Sequence, residues 1–158
     1  MQKLKAIIID DKPFWLAIIC KVVRHHFGEK LEIEDYSDFE EAKNRIMKSS
    51  KSFDLLITDI LNDANDAEGL IFTKYVDEMK HLPVIVITAV EGIVKSTYKG
   101  YNVIEVFYKP NFAKEEMQFV LAVNDAIKKT LKRKENNHFN DDKSTSGNEE
   151  NSPPSYLL

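Results

Sequence analysis

Leu4-Lys5-Ala6-Ile7-Ile8-Ile9-Asp10-Asp11 is a nearly unbroken apolar run that ends on two adjacent acids. A strand with one wet face alternates apolar and polar residues. A strand covered on both faces does not, so Leu4–Ile9 reads as a central strand of a parallel sheet. The same pattern returns three times. Phe53–Thr58 is followed by Asp59, Pro83–Thr88 ends on its threonine, and Val103–Tyr108 is closed by Lys109-Pro110. Leu31–Tyr36 differs: it alternates and is rich in glutamate, as suits an edge strand with one exposed face.

Helical spacing fills the gaps between these runs. Trp15, Ile18, Ile19, Val22 and His26 or Phe27 mark one helix face, with Pro13 at its start and Gly28 at its stop. Ser37-Asp38-Phe39-Glu40 has the form of a capping box, opening a helix to about Ser49. A polar loop, Asn62–Glu68, leads to a helix over Gly69–Lys80. Residues 91–99 make the poorest helix, short and with Gly92 inside it. Asn111 is expected to cap a long last helix with Val120, Val123, Ile127 and Leu131 on one face. Acids in its first turns and bases in its last match the helix dipole.

Strands alternating with helices imply an α/β fold with a parallel sheet covered on both faces. Right-handed crossovers in a chain of this kind give a flavodoxin-like, doubly wound (βα)5 sheet of order 2-1-3-4-5. Its site lies at the switch point between strands one and three.

The 158 residues suit one domain. From about residue 135 the apolar period disappears and Asn, Ser, Asp, Glu and Pro dominate. A domain over residues 1–134 and a disordered tail over 135–158 are therefore expected. A frayed end is preferred to a docking peptide for Pro153–Leu158. The net charge of −4, with acids and bases mixed, leaves no footprint for nucleic acid. No run approaches the roughly 20 apolar residues of a membrane span. Met1–Lys5 leads into the first strand without a cleavage-type segment. Cys20, the single cysteine, cannot pair within the chain and reads as a small buried hydrophobe. His25-His26 has no neighbouring ligands for a transition metal. A cytoplasmic protein is expected.

The topology puts Asp10-Asp11, Asp59, Thr88 and Lys109 at adjoining strand ends. Three carboxylates there repel one another and call for a cation. Hard oxygen ligands favour Mg2+, with Mn2+ as a substitute, held through few carboxylates and completed by water or phosphate. Asp11 and Asp59 are the expected direct ligands, Asp10 acting through a water and the Leu61 backbone carbonyl adding a further ligand. A carboxylate can also accept a phosphoryl group as an acyl phosphate. Catalysis of that transfer is mostly positioning and electrostatics. Lys109 would pair with one phosphoryl oxygen as a point charge, and the Thr88 hydroxyl would donate to another.

These four motifs, in this order and spacing, resemble the receiver domain of two-component response regulators, of the chemotaxis type. The likeness covers roughly residues 4–134 and includes Gly69, which matches the glycine opening the family's third helix. It implies a stand-alone receiver, phosphorylated on Asp59 by a histidine kinase or phosphotransfer protein, with Mg2+ on the acidic pair. It implies no enzyme activity beyond slow self-dephosphorylation, and a cis peptide bond at Lys109-Pro110. Output would run through a downstream protein or a homodimer, using the face of residues 91–99, the fifth strand and the last helix.

The chain departs from the family in three places. Asp63 stands where a proline is usual, in a longer acidic loop with Asp66 and Glu68, read as solvated rather than ligating. Val106 replaces the switch aromatic, with Tyr108 on the same strand face as the partial substitute. Leu61 and Val90, at the positions that tune phosphoryl lifetime, are apolar and cannot hydrogen-bond an attacking water. Two rival functions stand beside this one. A docking module would work without phosphorylation. A phosphohydrolase of the haloacid dehalogenase type would need its nucleophile in an Asp-x-Asp pattern after strand one, where this chain has adjacent acids.

Overall fold

The computed structural model describes residues 3–49, 52–60, 82–98 and 102–145. The expected loop at 62–68, the helix at 69–80 and Leu61 lie outside them, as do residues 146–158.

Strand β1, Leu4–Ile9, lies inside a five-stranded parallel sheet of order β2-β1-β3-β4-β5. The others are β2, Leu31–Tyr36; β3, Leu55–Thr58; β4, Val84–Thr88; and β5, Val103–Tyr108. This is the order the alternation of runs predicts. β1, β3 and β4 are buried nearly throughout, since both their faces are covered. β2 at one edge is buried only at Leu31; Glu32 stays exposed, and the half-buried Glu34 pairs with Lys5 and Arg45.

The two faces of the sheet carry two cores. Ala6, Ile8, Ile57 and Ile87 pack under helix α1, Pro13–Phe27, and under a long helix, Glu116–Thr145. Ile7, Ile9, Leu56 and Val86 pack on the other face, with Ala42 and Ile46 of helix α2, Phe39–Lys48. Phe119 fills the centre of the first core, its ring edge-on to Phe107 and Phe112. Cys20 is buried there as expected, and burial pushes its thiol up to about 11.

Asp54 ties the long helix to the sheet. Its carboxylate accepts the Lys5 N–H at 2.9 Å and lies 2.8 Å from Lys134 Nζ. The Thr130 hydroxyl donates to its carbonyl at 3.1 Å. The entrance of β3 is thus bolted to the helix that crosses it.

Five local expectations need correction. The cap of α2 is Asp38, one residue later than the box predicts, and its carboxylate accepts the Glu41 N–H at 2.9 Å. Asn111 caps no helix; it closes a 3-10 turn, Lys109–Asn111, and the long helix starts at Glu116. The buried stripe of that helix runs through Phe119, Val123, Ala126 and Thr130, which leaves Leu131 exposed. The helix also continues through 135–145, where the composition predicts a disordered tail; a formed helix adds one hydrogen bond per residue and does not need an apolar face to propagate. Within 91–98 there is no α-helix, only a 3-10 turn over Lys95–Tyr98. Gly92 has a positive φ of 80°, and the β-branched Ile93 and Val94 follow it, a poor sequence for a helix. Among the described residues no helix is long and apolar enough to cross a membrane.

Candidate functional site

β1 and β3 pair in register, Ile9 opposite Thr58, so their carboxyl ends stop side by side. The Asp59 N–H donates to the Ile9 carbonyl at 2.8 Å, and the Asp10 N–H to the Tyr36 carbonyl at 3.1 Å. The ladder therefore runs one residue beyond the strands and fixes both acids. One carboxylate oxygen from each of Asp10, Asp11 and Asp59 lies within 4.8 Å of the others. Asp10 and Asp59 are buried and Asp11 is half-buried.

Lys109 enters from the end of β5 and is only 4% exposed. Its ammonium lies 2.8 Å from Asp10 Oδ2 and donates to Asp59 Oδ2 at 3.1 Å. The contact with Asp10 is an ion pair without hydrogen-bond geometry, so Asp10 Oδ2 keeps open valence. No donor among the described residues reaches Asp59 Oδ1. Asp10 Oδ1 accepts the Lys12 N–H at 2.9 Å, which locks the acidic pair to the start of α1. Lys12 Nζ lies 3.6 Å from Asp11 at the wet rim, where an ion pair is worth little.

Three carboxylates thus face one buried ammonium. Burial pushes the Asp59 carboxyl up, Lys109 pulls it back, and Asp10 and Asp11 push it up again, leaving it at about 6. A buried oxygen without a donor, in a site short of positive charge, is fitted by a hard divalent cation. Asp11 and Asp59, with Asp10 behind them, are the residues that would hold it.

Thr88 ends β4 opposite Tyr108 of β5. It is buried, and its Oγ1 accepts the Val90 N–H at 3.0 Å; a hydroxyl that accepts one hydrogen bond can donate another. Val106 packs into the second core and Phe107 into the first, and strand alternation then assigns Tyr108 to the Val106 face. A cavity of about 380 Å³ opens above these groups. Asp11, Asp59 and Lys109 line it together with Phe14, Trp15, Ile60 and Val90. Thr88 sits one residue behind Ala89 of that lining.

No family model and no curated protein sequence matches the chain. Solved structures do. A response regulator receiver domain from Clostridium thermocellum superposes with a TM-score of 0.61 at 20% identity, over 81% of this chain and 97% of its own. A response regulator receiver protein from Sinorhizobium medicae gives 0.64 at 16% identity, over 82% and 98%. The CheX-CheY-BeF3-Mg+2 complex from Borrelia burgdorferi gives 0.56 at 19%, over 78% and 89%.

The chain has the receiver fold.

Within that fold, Asp10, Asp11, Asp59 and Lys109 come together where the sequence places them. The Lys109-Pro110 peptide is trans, contrary to expectation. Pro110 lies in the 3-10 turn, where its fixed φ suits helical backbone, and the Phe112 N–H closes the turn on the Lys109 carbonyl at 3.1 Å. Trp15 is the residue the sequence hides. Helical spacing marks it as core, yet its ring faces the Lys109 ammonium, with 5.5 Å from Nζ to the centroid. One signal was available. A helix that starts directly after an acidic pair carries its first turn to the mouth of the site.

Proposed function

We propose that this chain is a response-regulator receiver that accepts a phosphoryl group on Asp59 from a histidine kinase or phosphotransfer protein in the cytoplasm. The observation that carries this is Asp59 Oδ1: a buried carboxylate oxygen with no donor among the described residues, while its partner oxygen is held by Lys109.

In the transfer, an Asp59 oxygen attacks phosphorus as the bond from phosphorus to the donor breaks. The electron pair of that bond leaves with the donor group. Lys109 is already within reach of the carboxylate, and moves its charge to a phosphoryl oxygen as the carboxylate charge is spent in the new bond. The Thr88 hydroxyl donates to another oxygen. A bound divalent cation, when present, neutralises part of the charge on the phosphoryl oxygens. Relaxation of Thr88 toward the phosphoryl group would alter the β4–β5 edge, where Tyr108 lies opposite it, and with it the face offered to a target protein or a second copy.

Intact-mass measurement tests the proposal. With acetyl phosphate and Mg2+ the protein should gain one phosphoryl group, and with a chelator it should gain none. A protein that stays unmodified in both is a docking module, and the proposal falls.

Lifetime gives a second prediction. Val90 is apolar and borders the cavity, and Leu61 is apolar at the other lifetime position. Neither can orient an attacking water, so the phosphorylated form should decay slowly. Leu61→Asn should shorten its half-life about tenfold, below the roughly 10²–10⁴ of a full general acid or base, because an amide orients water without taking its proton. Rapid decay in the wild type, unchanged by the substitution, would show that these positions do not set the lifetime.

A further inference from the structure

Lys109 carries its charge on a flexible stem, and something must keep that charge over the acids before a phosphoryl group arrives. Two of its neighbours are the carboxylates of Asp10 and Asp59. The third is the ring of Trp15, 5.5 Å from Nζ to centroid, a distance at which a cation is drawn to an indole face. The indole is itself braced. It meets Phe112 edge-on at 6.0 Å and 86°, and Phe14 at 6.1 Å and 80°. Phe112 hydrogen-bonds back to the Lys109 carbonyl, so the brace and the lysine share one turn. Trp15 and Lys109 also line the same cavity, where solvent enters.

From this geometry, and resting on Asp59 as the phosphoacceptor, we infer that Trp15 is the positioning residue for Lys109: its ring face holds the ammonium beside the Asp59 carboxylate and keeps water off it. The ammonium then meets an incoming phosphoryl oxygen without first losing a water shell or a set of stem rotamers. Phe14, 71% exposed at the same mouth, contributes to the brace and not to the contact.

Trp15 also packs against the first core, so a volume effect must be separated from the ring effect. Trp15→Leu keeps an apolar side chain without a π face; Trp15→Phe keeps a weaker π face. With acetyl phosphate and saturating Mg2+, the rate constant for phosphorylation should fall about tenfold in Trp15→Leu and return most of the way in Trp15→Phe. Rates equal to wild type in both variants overturn the inference. Equal loss in both overturns it too, since that is the mark of core filling alone. A second measurement needs no transfer. Trp15 is the only tryptophan, so its emission reports its own surroundings. Without metal or donor, the emission of Lys109→Met should differ from wild type in intensity or maximum, and identical spectra overturn the contact. A wild type that takes up no phosphoryl group removes the function proposed for Asp59 instead, and the spectra still report whether indole and ammonium meet.

Discussion

Asp59→Asn is expected to take up no phosphoryl group and yet to be more stable than the wild type, without metal, at neutral pH. The loss follows from chemistry: the amide matches the carboxylate in shape but offers no nucleophilic anion. The gain follows from burial. Asp59 is 5% exposed and shares its site with two other acids. Its carboxyl titrates at about 6 in the folded protein against an ordinary 3.8. Between those values the folded state binds more protons than the unfolded state. Stability therefore falls as pH rises from about 4 to about 6 and does not return above that. The full shift corresponds to roughly 3 kcal/mol. Part of the gain is given back because the neutral amide leaves Lys109 with one anionic partner fewer, so a net advantage of about 1–2 kcal/mol is the expected result. Urea melts of both proteins in chelator, from about pH 4 to about pH 8, check it. The difference in stability should grow up to about pH 6 and then level. A flat difference would mean that Asp59 ionises freely when buried. Added Mg2+ should narrow the gap, because only the wild type keeps the full set of acids for it.

Lys109→Met should act with the opposite sign on stability. The ammonium is the only buried positive charge among the described residues at this site, and it touches two buried carboxylates. Removing one partner of a buried ionic cluster typically costs about 3–5 kcal/mol, because the remaining charges stay buried without compensation. Here Asp59 can take up a proton instead, so about 3 kcal/mol at neutral pH is expected, and less at about pH 5. Phosphoryl uptake should slow about a hundredfold, the usual effect of losing one preorganised group that meets the transition-state charge. Divalent affinity should move the other way. Without the ammonium the acids are more negative, so Mg2+ should bind more tightly and recover part of the lost stability. Denaturant midpoints with and without Mg2+ give both signs in one experiment. A variant that unfolds like the wild type in chelator would show that the three acids do not depend on Lys109.

Much of this site was legible in the sequence because a parallel sheet sends every strand's carboxyl end to one edge. Once Leu4–Ile9, Phe53–Thr58, Pro83–Thr88 and Val103–Tyr108 are read as strands, the polar residues that end them become neighbours. The acids and Lys109 needed no further information. What escaped depends on fine rotation or on contacts across the fold. Ser37 and Asp38 are both good caps, and only backbone geometry shows that Asp38 is the one used. The stripe of the long helix is turned so that Phe119 and Ala126 are buried and Leu131 is not, a rotation that a wide apolar stripe does not specify. Residues 91–98 are suspect as a helix on propensity, and propensity prevails. The cis peptide came from family likeness rather than from any property of Lys109-Pro110, and there the chain goes its own way. Trp15 and Lys109 are far apart in the sequence, and no local pattern pairs them.

The bolt at Asp54 links the long helix to the strand that carries Asp59. β3 is short: Asp54 stands at its entrance and Asp59 at its exit. Thr130 and Lys134 grip the entrance, and beyond them the helix runs on to Thr145 with exposed side chains through residue 140. That outer stretch is continuous with the part held at Asp54 and, nearer its start, by the packing of Phe119, Val123 and Ala126. These two grips join the helix to the same short strand whose other end carries Asp59.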